Sequence, residues 1–322
     1  MRAVRLHEVG GPEVLRMEEV DAPEPGSGGL LVRIEAAGVN YIDTYHRDGK
    51  YRLDIPTILG VEAAGTVEAV GADVVGFAVG DRVAHAGQRG AYAELQAIPA
   101  EAAIAIPEGV DTQVAAAAML QGMTARYLVR DTFPLAAGDI ALVHAAAGGV
   151  GHLLTQACKA LGARVIATCG TDEKAQWVRD LGADEVVVYT RDDFVDAVER
   201  FTDGRGVDVV YDGVGQATFL DGLDCLRRRG MMVLYGQASG PVAPLDPQEL
   251  NAHGSLFLTR PSLFHYVAER DDLERCAGEL FQWIADGQLE VRIDRGFPLD
   301  EAHEAHRYLE ARNTQGKVLL TP

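Results

Sequence analysis

From residue 140 onward the chain alternates short, continuously apolar runs with amphipathic helical segments. Strands are predicted over 140–146, 164–168, 185–189, 207–212 and 231–235, with a candidate sixth at 255–258. Helices are predicted between them, over 150–161, 172–181, 192–201 and 217–228. Strands that are apolar along their whole length, such as VDVVYD and MMVLYG, belong in a parallel sheet covered on both faces. The spacing therefore predicts an α/β fold with a doubly wound parallel sheet.

The first strand-to-helix join in this series, 140–151, reads IALVHAAAGGVG. Its spacing is Ala146-x-Gly148-x-x-Gly151, with Gly149 in between. A dinucleotide site needs a tight turn, a close approach of backbone to pyrophosphate, and close packing of helix on strand. Gly148, Gly149 and Val150 sit where a helix N-terminus faces an anion. Ala146 stands in place of the first glycine and is expected to make the turn from a β conformation. At the end of the second strand the chain reads ATCGTDEK, with no carboxylate at the strand tip. Gly170 leaves space there, Thr171 offers a hydroxyl and Lys174 a charge, a pattern that favours a 2′-phosphate and hence NADP over NAD. Asp172 and Glu173 weigh against that reading unless they point to solvent at the helix start.

Before about residue 120 the strands are short and broken by Gly and Pro, as in a compact β-rich domain, with a brief helix over 40–47. After the parallel sheet come a helix over 271–286, a strand over 289–294, a helix over 299–312 and a last strand in GKVLL, expected to rejoin the first domain. The net charge is −19, from 29 basic and 48 acidic residues, which disfavours binding to nucleic acid. No apolar run reaches the roughly 18 residues of a membrane span. Residues 1–10 lack the apolar stretch of a secretory leader, and the four cysteines are scattered, so a cytoplasmic location is expected.

The stretches GGPEVL, GVNYIDTYHRDGKY, LGVEAAGTVEAVG, GDRV, HAAAGGVG, GTDEKAQWVRDLGAD, VVYDGVG and TRPSL occur together along the chain. In this combination the chain resembles, over essentially its whole length, the zinc-free quinone oxidoreductases (zeta-crystallin-like) of the medium-chain dehydrogenase/reductase superfamily. The resemblance implies a GroES-like catalytic domain at 1–123, a Rossmann NADPH-binding domain at 124–264 and a return to the catalytic domain at 265–322. It implies catalytic roles for Asn40, Tyr45 and Tyr51. The segment Asn40, Tyr41, Ile42, Asp43, Thr44 and Tyr45 is expected to line the nicotinamide cleft, and Thr124 and Tyr127 to reach the cofactor. Gly148, Gly149 and Val150 would hold the pyrophosphate, and Gly170, Thr171, Lys174 and Tyr189 the adenosine with its 2′-phosphate. Val214, Tyr235, Gly236 and Gln237 would border the nicotinamide half, and Arg312 would add a charge contact.

Zinc alcohol dehydrogenases are similar in layout, but they place a cysteine ligand where Asn40 stands and a histidine where Val61 precedes Glu62. The expectation is thus that no metal is bound. His303 and His306 share a helix face in a charged segment that reads as solvated surface, and His85, His144 and His152 read as structural. The implied reaction is NADPH-dependent reduction of a quinone in the interdomain cleft, by a homodimer joined through 255–258. Two alternatives stay open: NADPH-dependent reduction of an enal or enone C=C bond, and a non-catalytic NADPH-binding protein.

Overall fold

The computed structural model describes residues 1–322. Two compact units divide the chain. One comprises Met1–Met123, Ala268–Ala285 and Val291–Pro322, and the other Thr124–Val267 with Asp286–Glu290. Residues 286–290, inside the stretch expected to return to the first unit, group with the second. No helix is long and apolar enough to cross a membrane.

The second unit is built on a six-stranded parallel sheet. Its strands run in the spatial order Glu185–Val188, Arg164–Cys169, Ile140–Val143, Val207–Asp212, Leu226–Leu234 and Phe257–Thr259. In sequence this is 3-2-1-4-5-6, the doubly wound order whose switch point lies between the first and fourth strands. The central strands are buried along their whole length, as their unbroken apolar runs require.

The helix expected over 217–228 is cut to Phe219–Asp224, and residues from Leu226 join the fifth strand. Leu226 pairs with Val207, and Val207 donates to the Cys225 carbonyl, so ladder pairing overrides the helical propensity of the arginine run. Arg229, at φ +59°, accommodates the irregular start of the strand.

The first unit holds a seven-stranded sheet. Its main path runs Ile293–Pro298, Lys317–Thr321, Gly29–Val39, Glu62–Val70, Arg82–Ala86 and Ile104–Ala105, and Leu95–Pro99 also pairs with Gly29–Val39. The strand expected over 289–294 is displaced to Ile293–Pro298, where pairing with Lys317–Thr321 begins. The helix expected over 299–312 is Ala302–Glu310, preceded by a single 3-10 turn at Leu299–Glu301. Its His306 is fully buried, contrary to the reading as solvated surface. One face of this helix packs into the core around Phe297, Leu299 and Leu309, and that face carries the imidazole inward.

Candidate functional site

In the second unit the strand Ile140–Val143 hands over to the helix Gly149–Ala160 through a tight turn. Ala146 donates to the Thr168 carbonyl at 2.9 Å, and Gly148 to the Ala145 carbonyl at 2.8 Å. The left-handed residue of the turn is Ala145, at φ +52°, while Ala146 does without one. A Cβ on Gly151 would stand 2.3 Å from the Ala145 carbonyl oxygen and 2.7 Å from the Ala146 Cα. Only glycine lets the helix pack this closely against the turn. Gly148, Gly149 and Val150 thus open a helix whose start is seated on the strand end, a geometry that favours an anion.

At the end of the neighbouring strand, the Thr171 hydroxyl caps the helix Asp172–Asp180 by accepting from the Lys174 amide at 3.2 Å. Gly170 lies against Tyr189, whose phenol oxygen would be 2.8 Å from any Cβ placed there. Tyr189 is 46% exposed. Gly170, Thr171, Lys174 and Tyr189 therefore border one patch of surface. Asp172 pairs with Arg191 at 3.1 Å, which draws its charge toward that guanidinium.

Past the fourth and fifth strands, Asp212 accepts from the Val214 amide at 2.7 Å and the Gly215 amide at 3.0 Å, and from the Thr218 hydroxyl. The Tyr235 ring covers Gly213, and a Cβ on Gly236 would meet the Gly213 carbonyl oxygen at 2.5 Å. Val214, Tyr235, Gly236 and Gln237 are thus drawn together by two loops in close contact. Tyr127 is buried and stacked on Tyr266, with ring centroids 4.3 Å apart, and Thr124 is buried as well.

In the first unit Asn40 precedes the helix Tyr41–Arg47. Its backbone N–H donates to Asp43 Oδ2 at 2.9 Å, tying the first turn. The Asn40 amide donates from Nδ2 to Glu62 Oε2 at 2.8 Å and to the Gly38 carbonyl at 3.2 Å. Its Oδ1 accepts from Lys317 Nζ at 2.7 Å and from Gln121 Nε2 at 3.2 Å. Lys317 also donates to Glu62 Oε2 at 2.5 Å, and Glu62 Oε1 accepts from the Leu120 amide at 2.6 Å. Glu62 and Lys317 have no exposed side-chain surface. Burial holds the Lys317 ammonium below the usual lysine range, and Glu62 works against that shift.

Asp43 is buried behind the helix rather than open to a ligand, and burial pushes its carboxyl up to about 7. Tyr92 donates to Asp43 Oδ2 at 3.1 Å and lies 3.1 Å from His306 Nε2. His306 Nδ1 in turn lies 3.1 Å from Arg47, which makes two hydrogen bonds to Glu310. Tyr45 is 8% exposed and meets the 37% exposed Tyr51 edge-on, with centroids 5.4 Å apart. Ile42 is half-buried, the Thr44 hydroxyl donates to the Tyr41 carbonyl, and Tyr41 donates to the Leu309 carbonyl. Arg312 is exposed in a left-handed turn after the last helix.

Residues 26–108 match the alcohol dehydrogenase GroES-like domain family, and residues 149–277 the zinc-binding dehydrogenase family. A quinone oxidoreductase of Pseudomonas aeruginosa is 44% identical over 100% of this chain and 99% of its own. The chain belongs to the quinone oxidoreductase family of the medium-chain dehydrogenases/reductases. Within this family, the crystal structure of the Escherichia coli quinone oxidoreductase complexed with NADPH superposes with a TM-score of 0.98. It is 42% identical, and the match covers 100% of both chains. A 2-haloacrylate reductase of a Burkholderia species is 42% identical over 99% of this chain and 98% of its own.

The zinc in the name of one matched family does not fit the cluster around Asn40 in this quinone oxidoreductase family member. A cation placed there would meet the Lys317 ammonium, two amides and one carboxylate, with neither thiolate nor imidazole among them. A dinucleotide does fit the second unit: Gly151 lets the helix Gly149–Ala160 start close on the turn, where its N-terminus favours a pyrophosphate, and the Gly170 position expected to leave space is filled by the Tyr189 phenol beside Thr171.

The sequence reading missed Glu62, Gln121, Lys317, Tyr92 and His306. Their partners lie as far as 277 residues away in the chain, and no local period marks such pairs. The one available signal was the single lysine in the otherwise apolar strand GKVLL, where a lysine is expected inside only with a partner.

Proposed function

We propose that this chain is an NADPH-dependent reductase of quinones, with the second unit holding the cofactor and the first supplying the catalytic residues. The observation that carries it is the strand-tip patch of Gly170, Thr171, Lys174 and Tyr189. It offers the Thr171 hydroxyl and the Lys174 charge to a 2′-phosphate and lacks the tip carboxylate that selects NAD. The full-length likeness to an NADPH-complexed quinone oxidoreductase supports it. Gly148, Gly149 and Val150 would take the pyrophosphate, and Val214, Tyr235, Gly236 and Gln237 the nicotinamide half. NADPH, when bound, supplies a hydride, which with one solvent proton converts a quinone into a hydroquinone. Tyr45 and Tyr51 would orient the acceptor. No proton donor of tuned pKa is needed for an acceptor whose reduction is already favourable.

A second reading, reduction of an activated C=C bond, is favoured by the likeness to a 2-haloacrylate reductase. The edge strand Phe257–Thr259 leaves Phe257 54% exposed, which supports a homodimer formed by edge pairing. Four free, buried cysteines are consistent with a reducing cytoplasm.

The test is NADPH oxidation measured against a panel of quinones, alkenals and 2-haloacrylates, repeated with NADH. Turnover of quinones with NADPH at least about tenfold faster than with NADH is expected. Turnover of the C=C substrates alone would select the second reading. Tight NADPH binding with no acceptor reduced would leave a binding protein.

A further inference from the structure

Asn40 sits where four elements meet: the strand Gly29–Val39, the strand Glu62–Val70, the first-unit part of the helix Thr112–Tyr127 and the strand Lys317–Thr321. A primary amide has two N–H donors and an oxygen with two lone pairs. Here all four are used inside the protein. Nδ2 gives its hydrogens to Gly38 and Glu62, and Oδ1 takes hydrogens from Lys317 and Gln121. With 3% of its surface exposed, Asn40 has no remaining capacity to bond a substrate. It stands at the start of the helix that carries Tyr45, and its own N–H is tied to Asp43.

The element that sets the amide's orientation is the buried pair Lys317–Glu62. Only a donor can sit on Oδ1 and only an acceptor on Nδ2, so the ammonium and the carboxylate together forbid the flipped amide. The space is closed as well. A Cβ on Gly38 would fall 2.2 Å from Glu62 Oε2 and 2.7 Å from Lys317 Cε.

We propose that Lys317 is a positioning residue: acting through Asn40, it fixes the start of the helix Tyr41–Arg47 and thereby the rings of Tyr45 and Tyr51. This rests on the reading of those two tyrosines as the groups that orient the acceptor. The charged and titratable groups facing the cluster are Asp43, Tyr92, His306 and Arg47 with Glu310. Asp43 bridges to Asn40 through its backbone, and Tyr92 and His306 lie behind Asp43.

The test uses the full chain with 13C-labelled tyrosine and the variant Lys317→Met. Loss of the ammonium leaves the Glu62 carboxylate buried without its cation, so it gains a proton as pH falls. The expected result is a kcat for quinone reduction lowered by about ten- to a hundred-fold. It should gain a pH step absent from the wild type, beyond any step that Asp43 gives to both, with the Tyr45 and Tyr51 ring resonances moving through that added step. Adding Glu62→Gln should abolish the step, because no carboxylate is then left beside Asn40 to take up the proton.

Wild-type resonances and kinetics in Lys317→Met overturn the proposal. So does a lowered kcat that is flat with pH, or a pH step that persists after Glu62→Gln. If Lys317→Met does not fold, Lys317→Arg decides. Its longer, planar fork keeps the charge but does not fit the closed space that Lys317 Nζ fills between Asn40 and Glu62, so unchanged resonances there overturn the proposal and displaced ones support it. The resonances need no substrate. A wild-type protein that reduces no acceptor therefore counts against the reductase reading alone, and the resonances still decide the role of Lys317.

Discussion

Asp43 is a carboxyl group enclosed by the protein, with one oxygen bonded to the Asn40 N–H and the Tyr92 hydroxyl and the other without a partner. Burial raises it to about 7, against the pull of the Asn40 N–H, Lys317 and Tyr92. In the unfolded chain it titrates near 3.9. Between about pH 4 and 7 the folded state therefore binds more protons than the unfolded one, and stability falls as pH rises through that window. In Asp43→Asn the amide oxygen can accept both hydrogen bonds, and the window disappears. The stability of wild type relative to Asp43→Asn should drop by about 1 kcal/mol per pH unit from pH 5 to pH 7, measured by urea unfolding. A difference that stays constant with pH would refute it. At this scale the sequence was legible where contacts follow chain order, as at Thr171, whose hydroxyl caps the helix it precedes. It was misleading at Asp43, read as lining a cleft, because which way a helix faces depends on neighbours that arrive from elsewhere in the chain.

The strand-to-helix turn shows how an element can tolerate a departure from the expected glycines. Ala146 needs no unusual backbone, because the strain moves one residue earlier, to the exposed Ala145 at φ +52°. A left-handed alanine costs about 1–2 kcal/mol. Ala145→Gly should therefore stabilise the protein by about 1 kcal/mol, less the extra freedom glycine gains when unfolded. Thermal unfolding checks this, and a lower Tm would mean that the methyl group makes a contact worth more than the strain. Strands of the parallel sheet were legible because burial on both faces leaves unbroken apolar runs. The helix at 217–228 and the strand at 289–294 were misplaced for one reason. Their boundaries are set by pairing, Leu226 with Val207 and Ile293 with Lys317, and a partner strand is invisible to local propensity.

Across the whole molecule, buried histidines govern the response to acid. His85 is held down to about 4 and His306 to about 3 by burial, and burial also lowers His46 and His144. The unfolded chain protonates its histidines near 6.5. Below that pH the unfolded state binds more protons, so each buried imidazole lowers stability as pH falls toward its folded value. Asp43 acts in the opposite sense over much of the same range, but it is one group against several. The Tm should fall steadily from pH 7 to pH 5, and a Tm that rises on acidification would count against burial of these rings. The parallel sheet of the second unit was legible from the alternation of strands and helices. The buried cluster of the first unit was not, because it is assembled from positions near 40, 62, 120 and 317.

That wide spacing also sets an order of assembly during synthesis. The strand Lys317–Thr321 lies between Ile293–Pro298 and Gly29–Val39 in the large sheet, and its first residue is the ammonium that Glu62 and Asn40 require. A nascent chain can complete the parallel sheet once residue 259 has left the ribosome. The first unit, although most of it precedes the parallel sheet in the chain, must wait with an unpaired sheet edge and an uncompensated Glu62 until residue 317 emerges. Of the two units, the one that begins earlier in the chain is completed later.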